Sequence, residues 1–165
     1  MELAAKLEAA LVAHVAAQTF PDYFTAADQV RPGESDEDIT RQYLRCRAAG
    51  QAESEYPLDS GNFWWQCEVE LRTPVAEQTA AEASSADTAE STSQLAKHQA
   101  IAAILEDAIL VDDLPAQLTA AAVALGTGYE LTVFGLQVRL PARDQSDDVY
   151  SSGWSFRVYC CPRAF

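Results

Sequence analysis

The chain's 165 residues carry a formal charge of −14, with 25 Asp and Glu against 11 Lys and Arg. That balance weighs against adhesion to nucleic acid or anionic lipid, both of which need clustered cations. With 48% hydrophobic and 22% charged residues, positions 1–165 suit one folded domain that needs neither disulfide nor metal.

The first stretch, MELAAKLEAALVAHVAAQ, interrupts its apolar residues with Glu2, Lys6, Glu8 and His14, unlike the unbroken apolar run of an export signal. No segment has the length of a membrane span. A cytoplasmic setting follows, with Cys46, Cys67, Cys160 and Cys161 as reduced thiols. Leu3, Leu7, Leu11 and Val15 recur every fourth position and predict a helix over 2–17, ended before Pro21.

Residues 18–40 read as an irregular connection, because Pro21, Pro32, Gly33 and the acidic run Glu34, Asp36, Glu37 and Asp38 interrupt any period. Phe20, Tyr23 and Phe24 are expected to pin part of it to the core. Residues 41–49 then read as a strand with Leu44, Cys46 and Ala48 on one face.

The clearest element is 63–72. Phe63, Trp65, Cys67, Val69 and Leu71 alternate with Trp64, Gln66, Glu68, Glu70 and Arg72, so one face is core and the other wetter. Burying the large members of the first set contributes on the order of 8 kcal/mol before chain entropy. A one-residue slip would expose all of them, which fixes the register.

Residues 76–93 are low in complexity, small in side chain, and read as a mobile loop turning helical near its end. Leu95, His98, Ile101, Ala102, Ile104, Leu105, Ala108 and Ile109 predict a broad apolar helix face over 95–111. A shorter helix over 114–125 follows, with Asp113 as N-cap, Pro115 in its first turn, and Gly126 and Gly128 ending it. Residues 129–141 read as a strand with a bulge at Gly135, and 144–148 as a polar loop. Residues 154–161 read as a last strand that turns Trp154, Phe156, Val158 and Cys160 to one face. Helix, strands, helices, strands is the order of an α+β domain: a mainly antiparallel sheet with helices packed on one face.

Signs of chemistry are sparse. The sequence contains no phosphate-cradling GxGxxG or GxxxxGK[ST] loop and no CxxC. Cys46, Cys67 and Cys160 could meet across neighbouring strands, but core packing is the better expectation for buried cysteine. His14 lies beside the first helical stripe and His98 on the apolar face of the second, where a hydrogen-bonded histidine at a core rim is expected. No catalytic, cofactor-binding or metal residue is therefore assigned. Trp64 and Tyr159 fall on the strand faces opposite the core and are the candidate interface residues, although a covering helix would also account for them.

The succession of the N-terminal amphipathic helix, FWWQCEVELRTP, HQAIAAILED, LTVFGLQV and WSFRVYCC resembles the tail terminator and tail-completion proteins at the head–tail neck of long-tailed bacteriophages. The likeness covers most of the chain as a pattern of elements; the acidic stretch at 76–93 is longer than that pattern has. The resemblance implies a non-enzymatic ring, usually hexameric, that caps the tail tube and supports head joining. Its partners would be copies of itself, tail-tube proteins and head-connector proteins. The acidic surface would let DNA pass without adhering. The rival expectation is a small-molecule-binding or enzymatic domain with a pocket near Trp65, Cys67, His98 and Phe156, in which Cys67 and His98 could act as a nucleophile–base pair. A third is a general bacterial adaptor domain.

Overall fold

The computed structural model describes residues 3–33, 41–52, 63–75, 87–125, 129–138, 142–145 and 148–164. The elements in chain order are α1 (Leu3–Ala16), α2 (Ala26–Gln29), β1 (Val30–Pro32), β2 (Tyr43–Ala52), β3 (Phe63–Pro74), α3 (Asp87–Ile109), α4 (Leu114–Ala124), β4 (Tyr129–Val138), β5 (Ala142–Gln145) and β6 (Val149–Ala164). The strands form one sheet in the order β1-β2-β3-β6-β4, with β5 also on β6. Every pairing is antiparallel except β1 with β2. The fold is α+β, with its helices gathered on one face of the sheet.

The spine is β3 against β6, in unbroken register from Phe63↔Cys160 to Pro74↔Val149. Alternation fixes that register. Cys67, Val69 and Leu71 face inward from β3, and Trp154, Phe156, Val158 and Cys160 from β6, all with essentially no solvent contact. Leu44, Cys46 and Ala48 join them from β2. Leu7, Leu11 and Val15 of α1, Ile101, Leu105 and Ile109 of α3, and Leu114 and Leu118 of α4 close the cluster from above. The expected stripes of α1 and α3 are thus largely the buried ones, with Ile104 half-buried and the Leu3 side chain outside those described. Leu95 is exposed.

Several elements differ from the sequence expectation. The stretch 18–40 is not wholly irregular, since α2 and the parallel strand β1 lie within it. Three residues are too few to show alternation, and β1 exists because β2 offers it an edge: Val30↔Leu44, Arg31↔Arg45, Pro32↔Cys46. Gly33 then turns the chain at φ 75°, a left-handed conformation that suits glycine. Its N–H donates to the carbonyl of Cys46 at 3.0 Å. Phe24 is buried and Phe20 packs against the core, whereas Tyr23 is exposed, with Lys97 Nζ 5.4 Å from its ring centre.

Helix α3 begins at Asp87, earlier than the apolar period suggests; residues 76–86 of the low-complexity stretch lie outside the described residues. Asp113 stands at the N-cap of α4, but its carboxylate makes no capping bond. Its carbonyl accepts the N–H of Gln117 at 3.0 Å instead, and Pro115 occupies the first turn as expected. Gly126 and Gly128 lie outside the described residues. The register of β4 on β6 shifts between Phe134 and Leu136, placing the bulge at Gly135. The expected polar loop at 144–148 begins within β5, which pairs with β6 through Gln145.

Candidate functional site

Trp64 and Tyr159 are directly opposite each other across β3 and β6, and Phe134 on β4 is the next partner of Tyr159. Three aromatic residues therefore stand in one row at one end of the sheet. Tyr159 is half-buried, and the side chains of Trp64 and Phe134 lie outside those described.

The same face continues as a ladder of charge. Arg45 on β2 is paired in register with Glu70 on β3, and Arg47 with Glu68. Both pairs form ion pairs, Arg47 Nη2 to Glu68 Oε2 at 2.8 Å and Arg45 Nη2 to Glu70 Oε2. Glu70 also accepts from Arg72 Nε at 2.9 Å, and from the Ser151 hydroxyl at 3.4 Å. Gln66 Nε2 donates to Ser155 Oγ. These side chains lie half-buried against one another. Among the described residues, the buried apolar side chains of α1, α3 and α4 belong, Ala108 apart, to the cluster on the opposite face.

On the helix side of the sheet, a line of buried polar groups crosses the strands. Gln29 Nε2 donates to the Gln42 carbonyl at 2.6 Å, and Gln42 Nε2 donates to Thr73 Oγ1 at 2.9 Å. Thr73 Oγ1 is 2.8 Å from His98 Nδ1, and His98 Nε2 is 2.8 Å from Ser152 Oγ. Thr73 accepts from Gln42, so its own hydroxyl hydrogen is available to Nδ1. Each ring nitrogen is thus held by a hydroxyl. Hydroxyl, imidazole and hydroxyl stand in the order of nucleophile, base and orienting group, but the third member carries no charge. Ser152 and Thr73 are also sealed from solvent. The arrangement locks α3 onto β3 and β6. The sequence held a signal for it: Gln42, Thr73 and Ser152 are polar residues at positions where alternation demands inward side chains.

The rival pocket does not assemble. Cys67 and Phe156 are cross-strand partners and Trp65 packs nearby against the core. His98, however, bonds to Thr73, six residues along β3 from Cys67, or roughly 20 Å at the rise of a strand. The Cys67–His98 nucleophile pair is therefore not formed. Burial pushes the Cys46 thiol up to about 12, with Glu8 adding to it, and holds Cys67 well above its ordinary value. Both are poor nucleophiles. Cys46, Cys67 and Cys160 are buried, and no group of metal-binding side chains occurs among the described residues. The Cys161 side chain lies outside those described.

His14 also serves the fold. Its Nε2–H donates at 3.0 Å to the carbonyl of Ala108, in the last turn of α3 where helical carbonyls lack partners. No described helix is long and apolar enough to cross a membrane. No protein-family model matches the chain, and neither does any curated protein.

Proposed function

We propose that the chain is a non-enzymatic assembly subunit of a phage or prophage tail or neck. Copies of it form a ring, hexameric on assembly, that caps the tail tube and supports head–tail joining. The observation that carries this reading is the unequal use of the sheet. One face is sealed by α1, α3 and α4, while the other bears the charged ladder and, at one end, the register row Trp64, Tyr159 and Phe134. A closed ring needs two different patches on every subunit, and a domain with two unlike faces supplies them.

On this reading the partners are copies of the chain itself, tail-tube proteins and head-connector proteins. There is no direct affinity for nucleic acid or membrane, consistent with a charge of −14. No catalytic residue, cofactor or metal is called for. The protein would reside in the host cytoplasm during assembly and in the virion tail or neck afterwards.

Sedimentation velocity at tens of micromolar, alone and with purified tail-tube protein, tests the proposal. A discrete species several times the mass of one chain is expected in at least one condition, and Tyr159→Ala is expected to weaken it. A strict monomer in both conditions would sink it.

A further inference from the structure

The charged sheet face is opposite in sign to the rest of the molecule. Arg31, Arg45, Arg47, Arg72, Arg157 and Arg163 occupy outward register positions on β1, β2, β3 and β6, with Glu68 and Glu70 of β3, Glu130 of β4 and Asp144 of β5 among them. By register that face holds six of the chain's 11 cationic residues and four of its 25 acidic ones. The remainder of the chain is more acidic than its net −14 suggests.

Part of that remainder is an exposed corner where α3 passes to α4. Asp107, Asp112 and Asp113 are all exposed there, with Leu110 at 47% exposure between them. An acidic rim around an apolar residue has the character of a docking surface.

We infer that the arginine-bearing sheet face of one copy docks the acidic α3–α4 corner of a second copy, head to tail. This inference rests on the ring reading and names its two contact surfaces. The two patches belong to different faces of one chain, so the contact is heterologous and propagates around a ring. Opposed charges steer the encounter and fix its register, and Leu110 supplies apolar area.

Two other occupants fit less well. Glu68 and Glu70 interrupt the arginines and pair with Arg45, Arg47 and Arg72, so the face presents no run of guanidinium groups to a phosphate backbone. A second copy docked sheet to sheet would bring arginines against arginines.

The test is a mixing experiment on the full chain. The first variant is Arg47→Gln with Arg72→Gln; Arg31→Gln replaces it if its melting temperature falls. The second is Asp112→Asn with Asp113→Asn. Each alone is expected to self-associate about ten-fold more weakly than the parent. Mixed in equal amounts, they are expected to form a heterodimer, because the intact corner of one meets the intact sheet face of the other. Raising salt from 50 to 500 mM is expected to weaken the parent assembly.

Oligomers that persist in both variants and in high salt overturn the two contact surfaces but leave the ring reading standing. Loss of assembly in the arginine variant alone points to a sheet-to-sheet contact and also overturns the inference. Parent protein that binds labelled duplex DNA through Arg47 and Arg72 assigns the face to nucleic acid instead. A parent that stays monomeric alone and with tail-tube protein removes both the ring and this contact.

Discussion

Thr73 Oγ1 and His98 Nδ1 lie 2.8 Å apart in the interior, joining the inward face of β3 to the buried face of α3. Thr73 has no solvent contact, and His98 and Ser152 have almost none. Nothing but the protein can satisfy these groups, and a buried polar atom left unpaired costs more than the bond contributes when made.

His98→Ala should therefore cost about 3 kcal/mol, because it orphans two hydroxyls and leaves a cavity. Ser152→Ala should cost about 1 kcal/mol, since it removes one partner and little volume. Urea unfolding of the two single variants and the double variant measures the coupling. A double variant no worse than His98→Ala is expected, because the second change removes a hydroxyl the first had already orphaned. Fully additive costs would show that the bond contributes nothing.

The same residues show what the sequence can and cannot express. The alternation of Cys67, Val69 and Leu71 with Glu68, Glu70 and Arg72 is a local pattern, and it correctly separated core from ladder. The bulge at Gly135 was legible for the same reason, since glycine interrupts a period that can be counted. Pairing is not local. β1 and β5 are three and four residues long and owe their conformation to neighbours distant in sequence, β2 and β6. His98 was placed on the buried face of its helix, but the partners at its two nitrogens come from positions 73 and 152. Only the fold brings those together. The Trp64↔Tyr159 pairing across strands follows from a register that the sequence implies for each strand singly and for the pair not at all.

The thiols provide a pH signature. Cys46 is raised to about 12 by burial first and Glu8 second, from an ordinary value of 9.0. Below pH 9.0 the thiol is neutral whether the chain is folded or unfolded, and its stabilising contribution is fully present. Above that value the unfolded chain ionises while the folded one does not. The unfolded state then binds fewer protons, and stability falls as pH rises toward about 12. Cys67, raised by burial and then by neighbouring thiols, acts in the same direction. Unfolding free energy followed from pH 8 upward should decline, and less steeply in Cys46→Ala. At neutral pH, alkylation of Cys46 and Cys67 in native protein should be about 100-fold slower than in urea, read by peptide mass spectrometry.

Glu70 should matter more than Glu68, although each pairs with an arginine on β2. Glu70 gathers Arg45, Arg72 and Ser151, while Glu68 pairs with Arg47 at 37% side-chain exposure. Half-exposed single pairs contribute a few tenths of a kcal/mol, and a carboxylate with three donors contributes more. Glu70→Gln should cost about 1 kcal/mol and Glu68→Gln about 0.3 kcal/mol. Both costs should shrink in high salt, measured as shifts in the urea midpoint at 50 and 500 mM NaCl. Equal costs, or costs indifferent to salt, would refute the hierarchy.

A final expectation concerns how the short strand β1 is completed. It pairs with β2 only as far as Cys46, so the next edge-facing N–H of β2, that of Ala48, has no strand among the described residues to receive it. Glu8 of α1 takes that place, with its Oε2 accepting from Ala48 N at 3.1 Å. A side chain from a helix thus finishes a sheet edge that would otherwise leave a backbone donor unsatisfied beside the core. Glu8→Ala should cost about 1–2 kcal/mol. It should also accelerate hydrogen exchange at the Ala48 amide selectively, leaving the Val69 and Phe156 amides of the central strands protected. Glu8→Gln should restore part of both, because its amide oxygen can still accept but carries no charge. Exchange that speeds uniformly through β2, β3 and β6 would instead mean that Glu8 supports α1 as a whole, and the edge role would be lost.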